Sequence, residues 1–197
     1  GSAPHVDERG ASNGIQLWTP EGRLVGQWVH FGIANPIGGM AAVAGSPVDI
    51  AAVGDVVYAA TPSGIWLRRS MLEPAWFSES GTSALIALDA DETAVAAIDA
   101  AEARVIVWAT DGRRIGGWPI VADGRTVAAS DIALGGGRVY VADTGRNRVL
   151  VRSQSGDDLG EWRTHDGPRR IDVTPDGDVV VLGRGGWGLR YTPDGAL

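Results

Sequence analysis

The sequence predicts an all-β fold assembled from stacked units of four short antiparallel strands, and three observations predict it. The stretch Val95-Ala-Ala-Ile-Asp99-Ala-Ala-Glu-Ala-Arg104-Val-Ile-Val-Trp108 recurs 44 residues later as Val139-Tyr-Val-Ala-Asp143-Thr-Gly-Arg-Asn-Arg148-Val-Leu-Val-Arg152, and the register holds through Gly112/Gly156 and Gly116/Gly160 to Trp118/Trp162. A repeat of this length is the signature of stacked supersecondary units, as in propellers and solenoids. Gly and Pro punctuate the chain about every 8–12 residues, a spacing typical of many short strands. The tetrapeptide Thr-Pro-Asp-Gly, present at 174–177 and 192–195, is a β-turn signal in which proline presets φ.

The fourth unit serves as template. Asp131-Ile-Ala-Leu134 is a first strand, and Gly135-Gly-Gly-Arg138 a turn. Val139-Tyr-Val-Ala142 is a second strand by its β-branched and aromatic content. Asp143 to Arg148 is a polar hairpin loop, Val149-Leu-Val-Arg152 a third strand, and Leu159-Gly-Glu-Trp162 a fourth after the turn at 153–158. In the first unit only Ile15–Trp18 and Leu24–Trp28 match, as third and fourth strands. The second fills all four places with Val48–Ala51, Val56–Ala59, Ile65–Arg68 and Leu72–Trp76. The third opens at Ala84–Leu88 and closes at Trp118; its alanine-rich stretch 83–103 suits a helix by propensity, but the shared register with a strong strand repeat overrides that. The fifth has Arg170–Val173, Val179–Leu182 and Leu189–Tyr191, then a turn and Leu197.

The units therefore lie at about 5–28 (partial), 48–76, 84–118, 130–162 and 169–197 (partial), within a single domain over 1–197. The two end pieces duplicate the third strand, so they do not sum to one unit. The expected arrangement is an open arc of about four to five units, an incomplete ring with exposed strand edges.

Composition narrows the function classes. The chain is 44% apolar and 21% charged, as soluble globular domains are. It has no cysteine, which excludes disulfides and thiolate metal sites. All 17 basic residues are arginine, yet the net charge is −7. Nucleic-acid affinity rests on neutralising phosphates, so no nucleic-acid partner is expected. No apolar run approaches the roughly 20 residues of a membrane span. Gly1-Ser2-Ala3 has neither the basic nor the apolar region of a signal peptide.

The segment Val139-Tyr-Val-Ala-Asp143-Thr-Gly-Arg-Asn-Arg148-Val-Leu-Val resembles the core of the NHL repeat, in which an apolar strand is followed by Asp, a Gly/Asn turn, Arg and another apolar strand. Gly167-Pro-Arg-Arg-Ile-Asp-Val-Thr-Pro-Asp-Gly177 is similar to the family's opening strand and turn. The likeness spans nearly the whole chain but is uneven. Thr61 replaces the Asp in the second unit, whose loop is too short for the Arg, and Gly183 and Gly188 stand at the two positions in the fifth. The resemblance implies a β-propeller of four-stranded blades, usually six-bladed, acting as a binding platform for a protein, peptide or glycan. It leans toward a bacterial, extracytoplasmic or cell-envelope setting, with no cofactor.

The Asp99/Arg104 and Asp143/Arg148 pairs flank tight loops, where a carboxylate accepts loop N–H groups and a guanidinium returns a bidentate bond. A bracing role is expected, with ligand contact the alternative. Trp28, Trp76, Trp118 and Trp162 close successive units, and a ring of this size removes about 150–250 Å² from water. Blade-to-blade packing is expected, with an aromatic sugar-binding array the alternative. Gly183-Arg-Gly-Gly-Trp-Gly188 matches G-x-G-x-x-G, but a strand rather than a helix follows, so it is a glycine-rich hairpin.

In a four-stranded antiparallel blade, the second-to-third hairpins and the inter-blade connections emerge at one end. That end collects Arg146, Arg148, Arg184 and Trp187 from hairpins, and His30, Phe31, His165 and Asp166 from connections. Function concentrates on loops held by a rigid scaffold, and Trp and Arg are enriched at binding hot spots. The expected function is a non-catalytic recognition or scaffold module. The alternative is a cation-dependent lactonase- or lyase-like enzyme, with Asp49 and Asp131 at the same place in two first strands as metal ligands near the axis. No H-E-x-x-H or G-x-S-x-G motif is present.

Overall fold

The computed structural model describes residues 14–19, 21–29, 47–61, 64–68, 74–77, 84–122 and 124–197. The chain divides into two compact units, Gly1–Pro47 and Val48–Leu197. In the first, β1 (Gly14–Trp18) and β2 (Leu24–Val29) form an antiparallel hairpin, with Ile15 opposite Trp28.

The second unit begins with the sheet β3 (Asp49–Val53), β4 (Val56–Thr61), β5 (Gly64–Arg68) and β6 (Pro74–Phe77). The next sheet is β7 (Leu85–Ala90), β8 (Ala94–Asp99), β9 (Arg104–Ala109) and β10 (Arg114–Pro119). A two-stranded ribbon, β11 (Val121–Ala122) and β12 (Arg125–Thr126), connects it to β13 (Ala129–Gly135), β14 (Arg138–Asp143), β15 (Arg148–Ser153) and β16 (Asp158–Arg163). The last sheet is β17 (Pro168–Val173), β18 (Val179–Gly183) and β19 (Gly188–Tyr191), with a 3-10 turn at Arg184–Gly186. Strands pair in chain order within each sheet. The four sheets of the Val48–Leu197 unit are blades of an all-β, propeller-type fold, and among the described residues they are not closed into a ring. The ribbon and the 3-10 turn lie where only loops were expected.

Alternation along each strand explains why the middle blades read as nearly continuous apolar runs. Successive side chains point to opposite faces, and a blade with a neighbour on each side buries both. From the β7–β10 blade, Val95, Ala97 and Ile106 pack against Tyr58, Ala60 and Ile65 of the preceding blade. Ala94, Ala96, Ile98 and Val105 face Ile132, Leu134, Val139 and Val141 of the next. The alanine-rich stretch is thus strand, and its small side chains let these sheets approach closely.

The co-repeating Gly and Trp have one geometric cause. The indole of Trp118 lies under Gly156 in the following blade: a Cβ on that glycine would meet the ring at 3.1 Å. Trp162 lies in the same way under Gly195, where a Cβ would fall 2.5 Å from Cγ. Trp162 also packs edge-on against Tyr140 at 5.7 Å and near Tyr191 at 6.2 Å. The side chains of Trp28 and Trp76 lie outside the described residues, as do His30 and Phe31.

Two identical Thr-Pro-Asp-Gly turns provide an internal control. Gly177 (φ +90°) has nothing within 4 Å of its would-be Cβ, whereas Gly195 (φ +87°) faces Trp162. Alanine at 177 costs only the left-handed backbone penalty, about 1–2 kcal/mol. Alanine at 195 is expected to cost about 1–3 kcal/mol more, from overpacking against the indole. Urea unfolding of Gly177→Ala and Gly195→Ala measures the difference, and equal losses would refute this account of the Gly/Trp repeat.

Candidate functional site

Two regions gather polar side chains in the Val48–Leu197 unit. The first is a concavity of about 530 Å³ lined by the four inner strands, with Asp49, Asp89, Asp131 and Asp172 on its wall. Three of these carboxylates tie one blade to the next. Asp49 Oδ2 accepts the Leu88 N–H at 2.9 Å, Asp89 Oδ2 accepts Leu134 N–H at 2.7 Å, and Asp131 Oδ2 accepts Ile171 N–H at 2.9 Å. Asp172 accepts the N–H of its own neighbour Val173 at 2.8 Å. Arg170 Nη1 reaches Asp131 Oδ1 at 3.6 Å.

The donors are N–H groups on the inner strand's outer edge, which have no partner within their own sheet. An unpaired backbone donor away from water is costly, and a carboxylate makes the charge-assisted acceptor. Burial also penalises the ionised form. It raises Asp89 from 3.8 to about 7, against the opposing Leu134 and Ala90 N–H bonds and with help from the charges of Asp172 and Asp131. Burial likewise raises Asp131 to about 6, despite the Ile171 N–H and Arg170.

Asp49 and Asp131 do share one strand position, opposite Ala60 and Ala142. Asp89 and Asp172 share another, two residues further along, opposite Ala96 and Val180. Sequence reasoning passed over Asp89, because the 44-residue register aligns it with Ala133 rather than with another acid.

The second region is the loop end of the β13–β16 and β17–β19 blades. Asp143 is fully buried, and its Oδ2 meets Arg148 Nε at 2.9 Å and Arg146 Nη1 at 3.5 Å. Arg148 continues to Glu161 at 2.6 Å. In the neighbouring blade, buried Asp99 accepts the Ala101 and Glu102 N–H groups and lies 3.5 Å from Arg104. The residue before each arginine, Ala103 or Asn147, takes a left-handed φ of +48° or +54°, which closes the hairpin. The β4–β5 loop has a different closure, with Thr61 Oγ1 donating to the Gly64 carbonyl at 3.0 Å.

Three loops are knitted together here. Thr164 N–H donates to the Asn147 carbonyl, Gly167 N–H to Asn147 Oδ1 at 2.8 Å, and Arg184 N–H to the Gly167 carbonyl. The Trp187 indole packs on Gly183, where a Cβ would fall 2.0 Å from the ring, and the His165 ring meets it edge-on at 5.8 Å. The indole thus braces this hairpin at the repeat position where the preceding blade has Asp143.

The structure brings Arg146, Arg148, His165, Asp166, Arg184 and Trp187 to one end. It also corrects their presentation. Arg148 is only 7% exposed and engaged by two carboxylates, so it is a brace and not a contact residue. Trp187 is half-buried. Arg184, His165 and Asp166 are exposed.

Solved structures similar to this chain are β-propeller proteins. BBS1N, in complex with ARL6DN, matches with a TM-score of 0.64 and 15% identity over 93% of this chain and 56% of its own. Virginiamycin B lyase from Staphylococcus aureus matches with 0.62 and 13% over 93% and 65%. The computationally designed Ika4 protein matches with 0.54 and 15% over 75% and 91%. The chain thus spans roughly half to two thirds of the first two, and at these identities the likeness is one of fold. No family model and no curated protein matches the sequence.

Removing Asp143 leaves Arg148 buried without one of its two carboxylate partners. Asp143→Ala is expected to destabilise by about 3–5 kcal/mol, the usual consequence of breaking a buried ion pair from one side. Chemical denaturation measures this, and a loss under about 1 kcal/mol would assign the brace to the backbone alone.

Asp89 and Asp131 predict a pH dependence. Their folded pKa values lie above the unfolded 3.8, so the folded state binds more protons between about pH 4 and 7. Their contribution is therefore full below about pH 4 and declines as pH rises through 6 to 7. Asp89→Asn keeps an acceptor for Leu134 N–H and cannot ionise. Relative to this variant, the parent protein is expected to lose stability across that window; a constant difference in melting temperature from pH 4 to 7 would contradict the assignment.

Proposed function

We propose that this chain is a set of NHL-type propeller blades serving as a recognition or scaffolding module, with its protein, peptide or glycan partner bound at the loop end. The observation that carries the reading is the cross-linked loop cluster. Three connections from two blades are fixed by main-chain and Asn147 hydrogen bonds, and they present Arg146, Arg184, His165, Asp166 and the half-buried Trp187. Rigid loops reduce the ordering cost of binding, and their residue types are those that dominate interface energetics.

A propeller enzyme is the second reading, favoured by one specific observation. Burial in the concavity raises Asp89 to about 7, the range in which a carboxyl group serves in acid–base chemistry. Against it, Asp49, Asp89 and Asp131 each give one oxygen to the next blade's backbone, which fixes their orientation for assembly.

Selection of binders from peptide-display and glycan libraries tests the reading. Selected binders are expected to lose affinity on Arg184→Ala or Trp187→Ala and to keep it on Asp157→Ala at the opposite end. Binders that map to the axial concavity or to the opposite end would overturn it. A stoichiometric divalent ion in purified protein, lost on Asp131→Asn, would favour the enzyme instead.

A further inference from the structure

The net charge of −7 conceals an uneven distribution. Opposite the loop end, three arginines are engaged by carboxylates, Arg138 with Asp194 at 2.8 Å, Arg152 with Asp158 at 2.7 Å, and Arg190 with Asp178 at 2.6 Å, while Arg113 in the β9–β10 turn is exposed with no carboxylate of the described residues on its side chain. Acids such as Asp91, Asp111 and Asp157 occupy its turns. At the loop end the acids Asp99 and Asp143 are buried in the hairpins and Glu161 is bound to Arg148, while Glu102 and Asp166 are exposed. Arg163, Arg169 and Arg184 are exposed there, and no carboxylate of the described residues lies within ion-pair distance of them.

These three arginines stand on fixed backbone. Arg163 ends β16, its Cα paired with that of Arg148. Arg169 sits in the bulge between Pro168 and Arg170, beside Gly183. The stem of Arg184 lies against Gly167, where a Cβ would come within 2.9 Å of its Cδ. Guanidinium groups presented this way suit planar carboxylates, which they bind bidentately.

We propose that the loop end of the last two blades binds an acidic peptide segment, its Asp or Glu carboxylates held by Arg163, Arg169 and Arg184. The proposal rests on the loop-end recognition reading above and adds the chemistry of the partner. Exposed Asp166 lies between Arg163 and Arg169 along the chain with its carbonyl beside Gly183, the neighbour of Arg184, and Glu161 lies two residues before Arg163 on β16. They interrupt the basic field and disfavour a regular polyanion, whereas a peptide places its carboxylates individually. A strand of phosphates also wants a longer basic track than three arginines provide.

The test uses the whole chain and a fluorescein-labelled Glu-Ser repeat peptide, with Lys-Ser and Gly-Ser peptides as controls, read by anisotropy. Only the Glu-Ser peptide is expected to bind, with affinity falling about tenfold or more between about 50 and 200 mM salt. The double variant R163E/R184E is expected to abolish binding, and D157N/D176N at the opposite end to leave it unchanged. R163Q/R184Q, which carries no new charge, is expected to weaken binding about tenfold and guards against misfolding of the reversal variant. Failure of the Glu-Ser peptide to bind, or binding indifferent to Arg163 and Arg184, overturns the proposal. If a heparin hexasaccharide or an oligo-dT strand binds through those arginines while the Glu-Ser peptide does not, the peptide assignment falls and loop-end recognition stands. If library-selected binders map elsewhere, both fall.

Discussion

The assembly of the four blades depends on a hydrogen bond that crosses from each inner strand to the next. An inner strand is paired on one edge only, so alternate N–H groups on its other edge face the preceding blade. Asp49, Asp89 and Asp131 supply acceptors for those groups at Leu88, Leu134 and Ile171. The bond fixes both the spacing and the rotation between blades, because a side chain this short reaches only one backbone position. It also accounts for the acidic lining of the axial concavity without reference to any ligand. The carboxylates are there to satisfy backbone donors, and their desolvation raises two of them well above the ordinary carboxylate range.

Outside this inner tie, apolar packing does most of the work, and the outer rim carries a second lock. Trp118 and Trp162 each lie beneath a glycine of the following blade, Gly156 and Gly195, so the two residues repeat together. A side chain at Gly195 would have to occupy the volume of the Trp162 ring. Inner bond and outer lock act at opposite ends of the strands' lateral order, one at the first strand and one at the fourth. Between them lie the interdigitating clusters centred on Tyr58, Val141 and Tyr140.

Much of this was legible in the sequence, for a physical reason. The features that repeat at constant spacing are those set by the local hairpin: the Asp/Arg pair, the left-handed residue before the Arg, and the turn glycine. Asp99/Arg104 and Asp143/Arg148 flank their loops as the spacing indicated. The inter-blade tie was not legible because it alternates. Asp49 and Asp131 act from one strand position and Asp89 from another, each reaching a donor one residue beyond its own level in the next blade. A single-blade register places Asp89 against Ala133 and so hides the pattern. Trp187 was missed as a brace because its position is shifted from that of the Asp it replaces; only the close approach at Gly183 shows the substitution.

The uneven charge follows from these same constraints. Two hairpins are braced by a carboxylate, which draws Asp99 and Asp143 inward, where they have no exposed surface, and leaves Glu102 and Asp166 as the exposed acids of that end. The turns at the other end are short β-turns, which favour Asp for its bonds to nearby backbone N–H groups. Asp91 and Asp111 make such bonds, to Thr93 and Ala94 in one case and to Arg113 in the other. Other acids of that end, Asp158, Asp178 and Asp194, engage Arg152, Arg190 and Arg138. What remains exposed at the loop end is therefore a surplus of guanidinium groups, left there by the requirements of folding. A binding surface of defined charge can arise in this way on a chain whose overall composition points in the opposite direction.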